Sequence, residues 1–139
     1  MTKEDKELLL KDLCARLSCE VKVEHFGTVK ELLGIIPSSE NVMVGYDIND
    51  YEDSVIEDIK TYLRPLSSMT EEECDMVEEI LGDKCIFDFM SNGDIILKQG
   101  QFSQKKLAKL YDYYNSIHID YRGLIPMGLA LEAPEEMYK

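Results

Sequence analysis

The segment 116–122 carries side chains suited to acid–base chemistry. Polar and apolar residues alternate in it, so an extended strand would place His118, Asp120 and Arg122 on one face. An aspartate can orient an imidazole for proton transfer, and an arginine can hold an anionic group of a substrate. These residues define one candidate function, a hydrolase. In the alternative interpretation a helix ends here and a loop follows, with Asp120 and Arg122 as a local ion pair.

The rest of the chain gives an enzyme little support. It contains no phosphate-binding glycine loop, no dinucleotide-binding glycine pattern, no nucleophile elbow and no zinc-protease motif. Only two histidines are present, which leaves few groups for proton transfer near neutral pH. We therefore favour a protein without catalytic residues over a hydrolase.

A second group of residues resembles a calcium-binding loop. Residues 47–53 are rich in Asp and Asn, but Tyr51 stands where the third ligand of an EF-hand belongs. Glu52 replaces the turn glycine of that motif, and Asp58 replaces its terminal glutamate. We therefore predict a hydrated turn at 47–53 and no bound calcium.

The cysteines do not define a zinc site either. Cys14, Cys19 and His25 could supply three ligands, but a closing ligand and the paired spacing of zinc sites are missing. The start of the chain lacks the pattern of a secretory signal, so we expect reduced thiols and a cytoplasmic protein. No apolar run is long enough to span a membrane. We expect no metal and no cofactor.

The positions of the elements follow from capping patterns and periodicity. Thr2 with Asp5 matches a capping box, and an apolar stripe at helical spacing predicts a helix over 3–17. Short β runs are predicted at 21–25, 28–36 and 42–46, and a fourth strand at 54–59. The helical stripe consists of Leu10, Leu13, Cys14 and Leu17.

The second half begins with another capping box, formed by Thr70 and Glu73. We predict a helix that ends at Gly82, a β-hairpin around the Asn92-Gly93 dipeptide, and a helix over 103–115. Residues 123–134 are left without an assignment. The chain is thus predicted as one α+β domain over 1–139: an N-terminal helix, a small antiparallel β meander or barrel, then helix, β-hairpin and helix.

Negative charge is concentrated in the middle of the chain. Residues 47–88 contain 14 acidic side chains and three basic ones, a local charge of −11 within a total of −13. Such a field attracts cationic partners and repels nucleic acid and anionic membranes. The partner predicted from charge is therefore a basic protein, without direct contact to nucleic acid or membrane.

Five acids of the second predicted helix fall within an arc of about 120° over about 12 Å of helix axis. The spacing of about 2.4 Å per charge is close to the ~1.7 Å of duplex DNA. We predict a partner-binding surface that imitates phosphates, with the acids of the preceding loop as an extension; the alternative is a solvated helix face. The predicted residues are Glu71, Glu72, Asp75, Glu78 and Glu79, extended by Asp50, Glu52 and Asp53.

Three blocks of sequence (8–17, 62–73 and 120–134) resemble a family of small acidic proteins of gut anaerobic bacteria, their prophages and their phages. No function is assigned to that family. The resemblance implies a phage or mobile-element protein working in a bacterial cytoplasm. It covers 37 residues and does not include the acidic loop at 47–58.

We therefore expect a non-enzymatic interaction protein that docks its acidic surface in a basic groove of a host protein. An inhibitor of a nucleic-acid-binding or defence protein suits the charge and the implied context. The alternative is a small β-barrel module that binds a protein through apolar surface. A homo-oligomer is also possible, because a basic patch could meet the acidic half of another copy. That patch consists of Lys105, Lys106 and Lys109.

Overall fold

The computed structural model describes residues 1–82, 88–89, 95–96 and 104–138. Helix α1 (Lys3–Arg16) begins with the predicted capping box: Thr2 Oγ1 accepts a hydrogen bond from the Asp5 N–H at 3.1 Å, and the Asp5 carboxylate accepts one from the Thr2 N–H at 3.3 Å. These bonds satisfy two donors that a helix start leaves unpaired.

The buried face of α1 differs from the predicted stripe. Cys14 is exposed and Leu17, just beyond the helix, is 36% exposed. The helix can turn a charged pair inward because Arg16 and Asp12 lie one turn apart and neutralise each other. The residues that α1 buries are Leu9, Asp12, Leu13 and Arg16.

A six-stranded sheet follows. Its strands are β1 (Lys22–His25), β2 (Thr28–Ile36), β3 (Asn41–Asp47), β4 (Asp50–Val55), β5 (Ile59–Leu63) and β8 (Ala130–Glu132). Their order across the sheet is β4-β3-β2-β1-β5-β8. Strands β1 to β4 form an antiparallel meander, β5 pairs antiparallel with β1, and β8 lies parallel to β5. The sheet is open, so the meander is the correct alternative and the barrel is not.

The acidic segment after β3 is a strand, not the predicted loop. Strand β4 begins at Asp50, and the predicted fourth strand at 54–59 is divided between the end of β4, a 3-10 turn (Ile56–Asp58) and the start of β5. Tyr51 pairs with Gly45 of β3, and the two strands approach so closely that a Cβ atom added to Gly45 would lie only 2.8 Å from the Tyr51 Cβ. Pairing with β3 therefore overrides the low strand propensity of Asp.

Helices α2 (Glu71–Leu81) and α3 (Gln104–Ser116) pack on each other beyond β5. Between them in the chain, β6 (Asp88–Phe89) and β7 (Ile95–Ile96) pair antiparallel, as the hairpin prediction requires; the Asn92-Gly93 turn lies outside the described residues. The helix, hairpin and helix are thus confirmed. None of the helices in the described ranges is long and apolar enough to cross a membrane.

Two apolar clusters hold these layers together. The larger cluster lies between α1 and the inner face of the sheet and includes Leu9, Leu13, Val23 and Leu63. The smaller cluster joins α2 to α3 through Val77, Leu81, Leu110, Tyr114 and Ile119. The outer face of α2 is consequently turned away from both clusters.

Candidate functional site

The start of α2 is fixed to the end of β5 by an arginine fork. Thr70 and Glu73 form the predicted capping box, and the Glu73 carboxylate also accepts two hydrogen bonds from Arg64, at 2.7 and 2.8 Å. The Arg64 hydrogen bonds, with those from Thr70, lower the pKa of Glu73 to about 2, and burial opposes them only in part. A bidentate pair fixes both distance and orientation, so it sets the direction in which α2 leaves the sheet.

The structure brings the five predicted acids of α2 together on its outer side. Glu71, Glu72, Asp75 and Glu79 are exposed and Glu78 is half-buried, while Val77 and Leu81 are buried on the opposite side. We call these five residues the acidic face. None of the ion pairs found in the described part of the chain involves a residue of the acidic face. Its charge is therefore available to a partner.

A cleft of about 660 Å³ opens beside the first turn of α2. Glu72 and Glu73 line one side of it, and the C-terminal segment provides Glu132, Glu135 and Tyr138 on the other. Arg64 also lines the cleft, but its charge is balanced by Glu73. Carboxylates beside an aromatic ring form an environment suited to a cationic side chain.

The C-terminal wall of the cleft is held in place by Tyr138. Its hydroxyl donates to the Tyr62 carbonyl at 2.7 Å and accepts from the Lys22 N–H at 2.9 Å. Its ring stacks on His118 with 3.6 Å between centroids. Burial raises the pKa of Tyr138 to about 12, so the phenol keeps its proton. The cleft is thus a preformed feature of the fold.

The three residues of the hydrolase hypothesis do not form a common site. His118 stacks on Tyr138, and its Nδ1 atom is buried without a hydrogen-bond partner. Burial lowers the pKa of His118 to about 4, and the nearby positive charge of Arg16 acts in the same direction. Asp120 accepts from two backbone N–H groups, those of residues 124 and 125, at 2.8 and 2.9 Å.

Arg122 pairs with Asp12 of α1 at 3.2 Å, and not with Asp120. The local ion pair of the alternative interpretation is therefore wrong, although α3 does end at Ser116 and a loop follows, as that interpretation expects. The physical reason is that Asp120 is occupied by backbone donors that close the turn after it. Arg122 must then find its counterion on another element.

The acids of β4 lie apart from the acidic face. Strand β4 is one edge of the sheet, and β3, β2 and β1 separate it from β5, which leads into α2. At about 4.8 Å per strand this places β4 some 19 Å from β5. Glu52 forms an ion pair with Lys30 and lies 3.3 Å from His25, so its charge is already balanced. Asp50 and Asp53 are exposed and point to opposite faces, because side chains alternate along a strand.

Sequence reasoning missed a buried polar cluster around His25. Its Nε2 atom lies 3.1 Å from the Ser54 hydroxyl, and its Nδ1 atom lies 3.1 Å from the ammonium of Lys30. An ammonium group only donates, so Nδ1 accepts and Nε2 carries the proton toward Ser54. This direction is opposite to the one a general base needs, and Ser54 itself donates to the Val55 carbonyl. We therefore assign the cluster a structural role.

The residues considered for metal binding are not grouped into a metal site within the described ranges. Asp47 accepts a hydrogen bond from the Asn49 N–H at 2.7 Å, which closes the turn between β3 and β4. Cys14 lies on the exposed side of α1, and His25 uses both ring nitrogens within the cluster just described. Across the residues that the structure describes, no three His, Cys, Asp or Glu side chains are grouped to hold a metal ion.

Comparison of the chain with protein-family models finds no match, and comparisons with curated proteins and with solved structures find none either. The resemblance to small acidic phage and prophage proteins stays a prediction. A functional proposal must therefore be argued from the α+β fold, the acidic face and the cleft beside it.

Proposed function

We propose that the protein is a non-enzymatic interaction protein whose acidic face docks in a basic groove of another protein. The observation that carries the proposal is the exposure of the acidic face together with its lack of counterions in the described part of the chain. A carboxylate without a counterion among the described residues can pair with a cationic group of a partner. Attraction of this kind accelerates association and weakens as the salt concentration rises.

The spacing of the acids favours a groove that normally holds nucleic acid. The acidic face carries one charge per about 2.4 Å of helix axis, near the ~1.7 Å per charge of duplex DNA. Lysine and arginine side chains placed to contact phosphates would meet a comparable density of negative charge. The protein would thus compete with nucleic acid for its partner and would not bind nucleic acid itself.

The cleft supports a defined contact beyond general attraction. Glu72 belongs to both the acidic face and the cleft, so a partner that covers the face also reaches the cleft entrance. An arginine or lysine side chain of the partner could enter between Glu72 and Tyr138. A charged contact at the edge of such a pocket adds specificity that a flat acidic surface lacks.

The resemblance noted above supplies the biological context of the proposal. A phage or mobile-element protein in a bacterial cytoplasm meets host nucleic-acid-binding and defence proteins, and many of these carry basic grooves. We accordingly propose an inhibitor of such a protein. Binding in equal numbers of molecules would suffice, since no catalytic step is required.

The test uses displacement from DNA. Host lysate is loaded on immobilised duplex DNA, and the retained proteins are eluted with this protein at about 50 mM and about 200 mM salt, a range over which phosphate-type contacts weaken strongly. We expect a discrete host protein to elute at low salt and to form a complex when purified. The variant Glu72→Lys/Asp75→Lys/Glu79→Lys should lose at least tenfold in association rate.

A matched control reverses three exposed acids outside the face, Glu7, Glu20 and Glu40, and gives the same net charge. The control variant should retain displacement and nearly the full association rate. Equal loss in both variants would show that only net charge matters and would contradict a defined docking face. The proposal would be ruled out if displacement of the host protein from DNA were the same at both salt concentrations and with the charge-reversed variant.

A further inference from the structure

The open sheet ends in strand β4, whose outer edge pairs with none of the strands that the structure describes. Strand β4 pairs with β3, and no other strand in the described ranges pairs with it. All six of its residues are exposed except Ser54, which is half-buried. An exposed strand edge is a template on which another strand can form.

The register shows which backbone groups are free. The Ile56 N–H donates to the Glu40 carbonyl, and the paired residues of β3 and β4 continue in the same register. Because hydrogen-bonded and non-hydrogen-bonded pairs alternate, residues 52 and 54 bond to β3. The N–H and C=O groups of Tyr51, Asp53 and Val55 therefore point to the free edge, where the Val55 carbonyl already accepts one hydrogen bond, from the Ser54 hydroxyl.

The other edge of the sheet, strand β8, is protected against the addition of a further strand, whereas the edge at β4 is not. Strand β8 has three residues, the next residue, Ala133, already donates its N–H to Leu63, and Pro134 follows. Short length and a proline are common ways to block strand addition. Strand β4 has twice that length and contains neither proline nor lysine.

We propose that the free edge of β4 binds an extended basic segment of another protein, which adds to the sheet as a seventh strand. Side chains of such a segment would lie opposite Tyr51, Asp53 and Val55 on the outer face. Tyr51 and Val55 are 47% and 46% exposed, and Asp53 lies between them. The preferred segment therefore alternates, with apolar, basic and apolar residues on that face.

Charge complementarity selects this occupant over a second copy of the chain. Strand β4 carries three acids and no base; Lys30 balances Glu52, so Asp50 and Asp53 are the acids that can attract a partner, on a molecule with a net charge of −13. Pairing of two β4 strands would bring aspartates close to one another, which is unfavourable. This surface is separate from the acidic face, so the inference does not depend on the function proposed for α2.

The probe is a short peptide, acetylated and amidated, with valine, arginine and valine at alternate positions and threonine between them. Hydrogen exchange should slow at the amides of Tyr51, Asp53 and Val55 when the peptide is added. N-methylation of the valine and arginine amides should weaken binding at least tenfold, because these amides face β4. N-methylation of the threonine amides, which face solvent, should leave affinity within about twofold.

Two variants of the protein complete the test. Asp53→Pro removes an edge donor that β3 does not use, and it should weaken binding at least tenfold, whereas Asp53→Asn keeps the donor and should weaken it far less. The triple variant of the acidic face should bind the peptide normally. Equal sensitivity to both methylation patterns, protection away from β4, or dimers joined through β4 would each overturn the inference.

Discussion

Arg16 is the largest fully buried side chain in the described part of the chain. Its Nε donates to Asp12 at 2.8 Å, and one terminal nitrogen donates to the Ile119 carbonyl at 2.7 Å. Arg122 approaches the other oxygen of Asp12 at 3.2 Å, and both guanidinium groups lie 5.1 Å from the Tyr121 ring. These contacts tie α1 to the segment after α3 across more than a hundred residues of sequence.

Removal of the carboxylate from this network should destabilise the fold strongly. Asp12→Leu leaves the Arg16 charge buried without a counterion, so we expect a loss of about 3 to 5 kcal/mol in the free energy of unfolding. Urea unfolding at pH 7 measures it. In the double variant Asp12→Leu/Arg16→Met the buried charge is absent, and part of the stability should return. A double variant less stable than Asp12→Leu would contradict this account.

The sequence could not reveal this network, although both partners on α1 were visible in it. An Asp and an Arg four residues apart are typical of an exposed helix surface, and periodicity alone placed Cys14 in the core. Which side of α1 faces the sheet depends on Ile119 and Arg122, which are distant in sequence. The same reason applies to His25, whose partners Lys30 and Ser54 lie on two other strands.

At the scale of elements, prediction succeeded where the signals are local. The bounds of α2 follow from Thr70, Glu73 and Gly82, and the structure has a capping box at one end and a glycine with φ of +75° at the other. Strand β4 was missed because three acids in six residues argue against a strand, and only its pairing with β3 explains it. The two parts of the predicted partner-binding surface are separated in the structure for the same reason. Local helix geometry holds the five acids of α2 together, while pairing with β3 places the acids of β4 at an edge of the sheet.

The fork between Arg64 and Glu73 should make the attachment of α2 sensitive to acid. The pKa of Glu73 is lowered from 4.5 to about 2, so its stabilisation is fully present above about pH 5 and is lost as the pH falls toward 2. Glu73→Gln should cost about 1 to 2 kcal/mol at pH 7, a value reduced for solvent screening because the pair is partly exposed. The difference from wild type should shrink as the pH falls below about 4.5 and vanish only below pH 2, where Glu73 is protonated in both states.

Unfolding by guanidine or urea across this pH range measures the effect. Glu72→Gln provides the control, since Glu72 is exposed and has no ion pair in the described part of the chain; its stability should stay within about 0.5 kcal/mol of wild type. A wild-type advantage over Glu73→Gln that persisted unchanged at pH 2 would show that the carboxylate charge is not what holds α2 to β5.

At the scale of the whole molecule, the net charge of −13 lowers the stability of the free protein and attracts basic partners. Like charges crowded on one helix repel each other in the free protein, and a basic partner relieves that repulsion. Stability that a protein forgoes in this way often marks a surface needed for function. We expect this loss of stability to be concentrated at the acidic face, because its residues recur three and four positions apart along α2 and therefore repel each other.

The variant Asp75→Lys tests whether the acidic face lowers stability and promotes partner binding. Asp75 lies three or four residues from each of the other four members of the acidic face, so a lysine there replaces four repulsive contacts by four attractive ones. We expect the variant to be more stable than wild type by about 0.5 to 1 kcal/mol at low salt, and the gain to shrink at about 1 M salt, where charges are screened within about 3 Å. Binding to the partner should weaken in the same variant.

Glu40→Lys is the matched control, because it changes the net charge equally at an exposed position outside α2. If it stabilised the protein as much as Asp75→Lys, the repulsion would belong to the molecule as a whole and not to the acidic face. A stability gain at Asp75 together with undiminished partner binding would mean that the crowded acids serve solubility alone. If the acidic face is retained for docking, Asp75→Lys should raise stability and weaken partner binding, and Glu40→Lys should do neither.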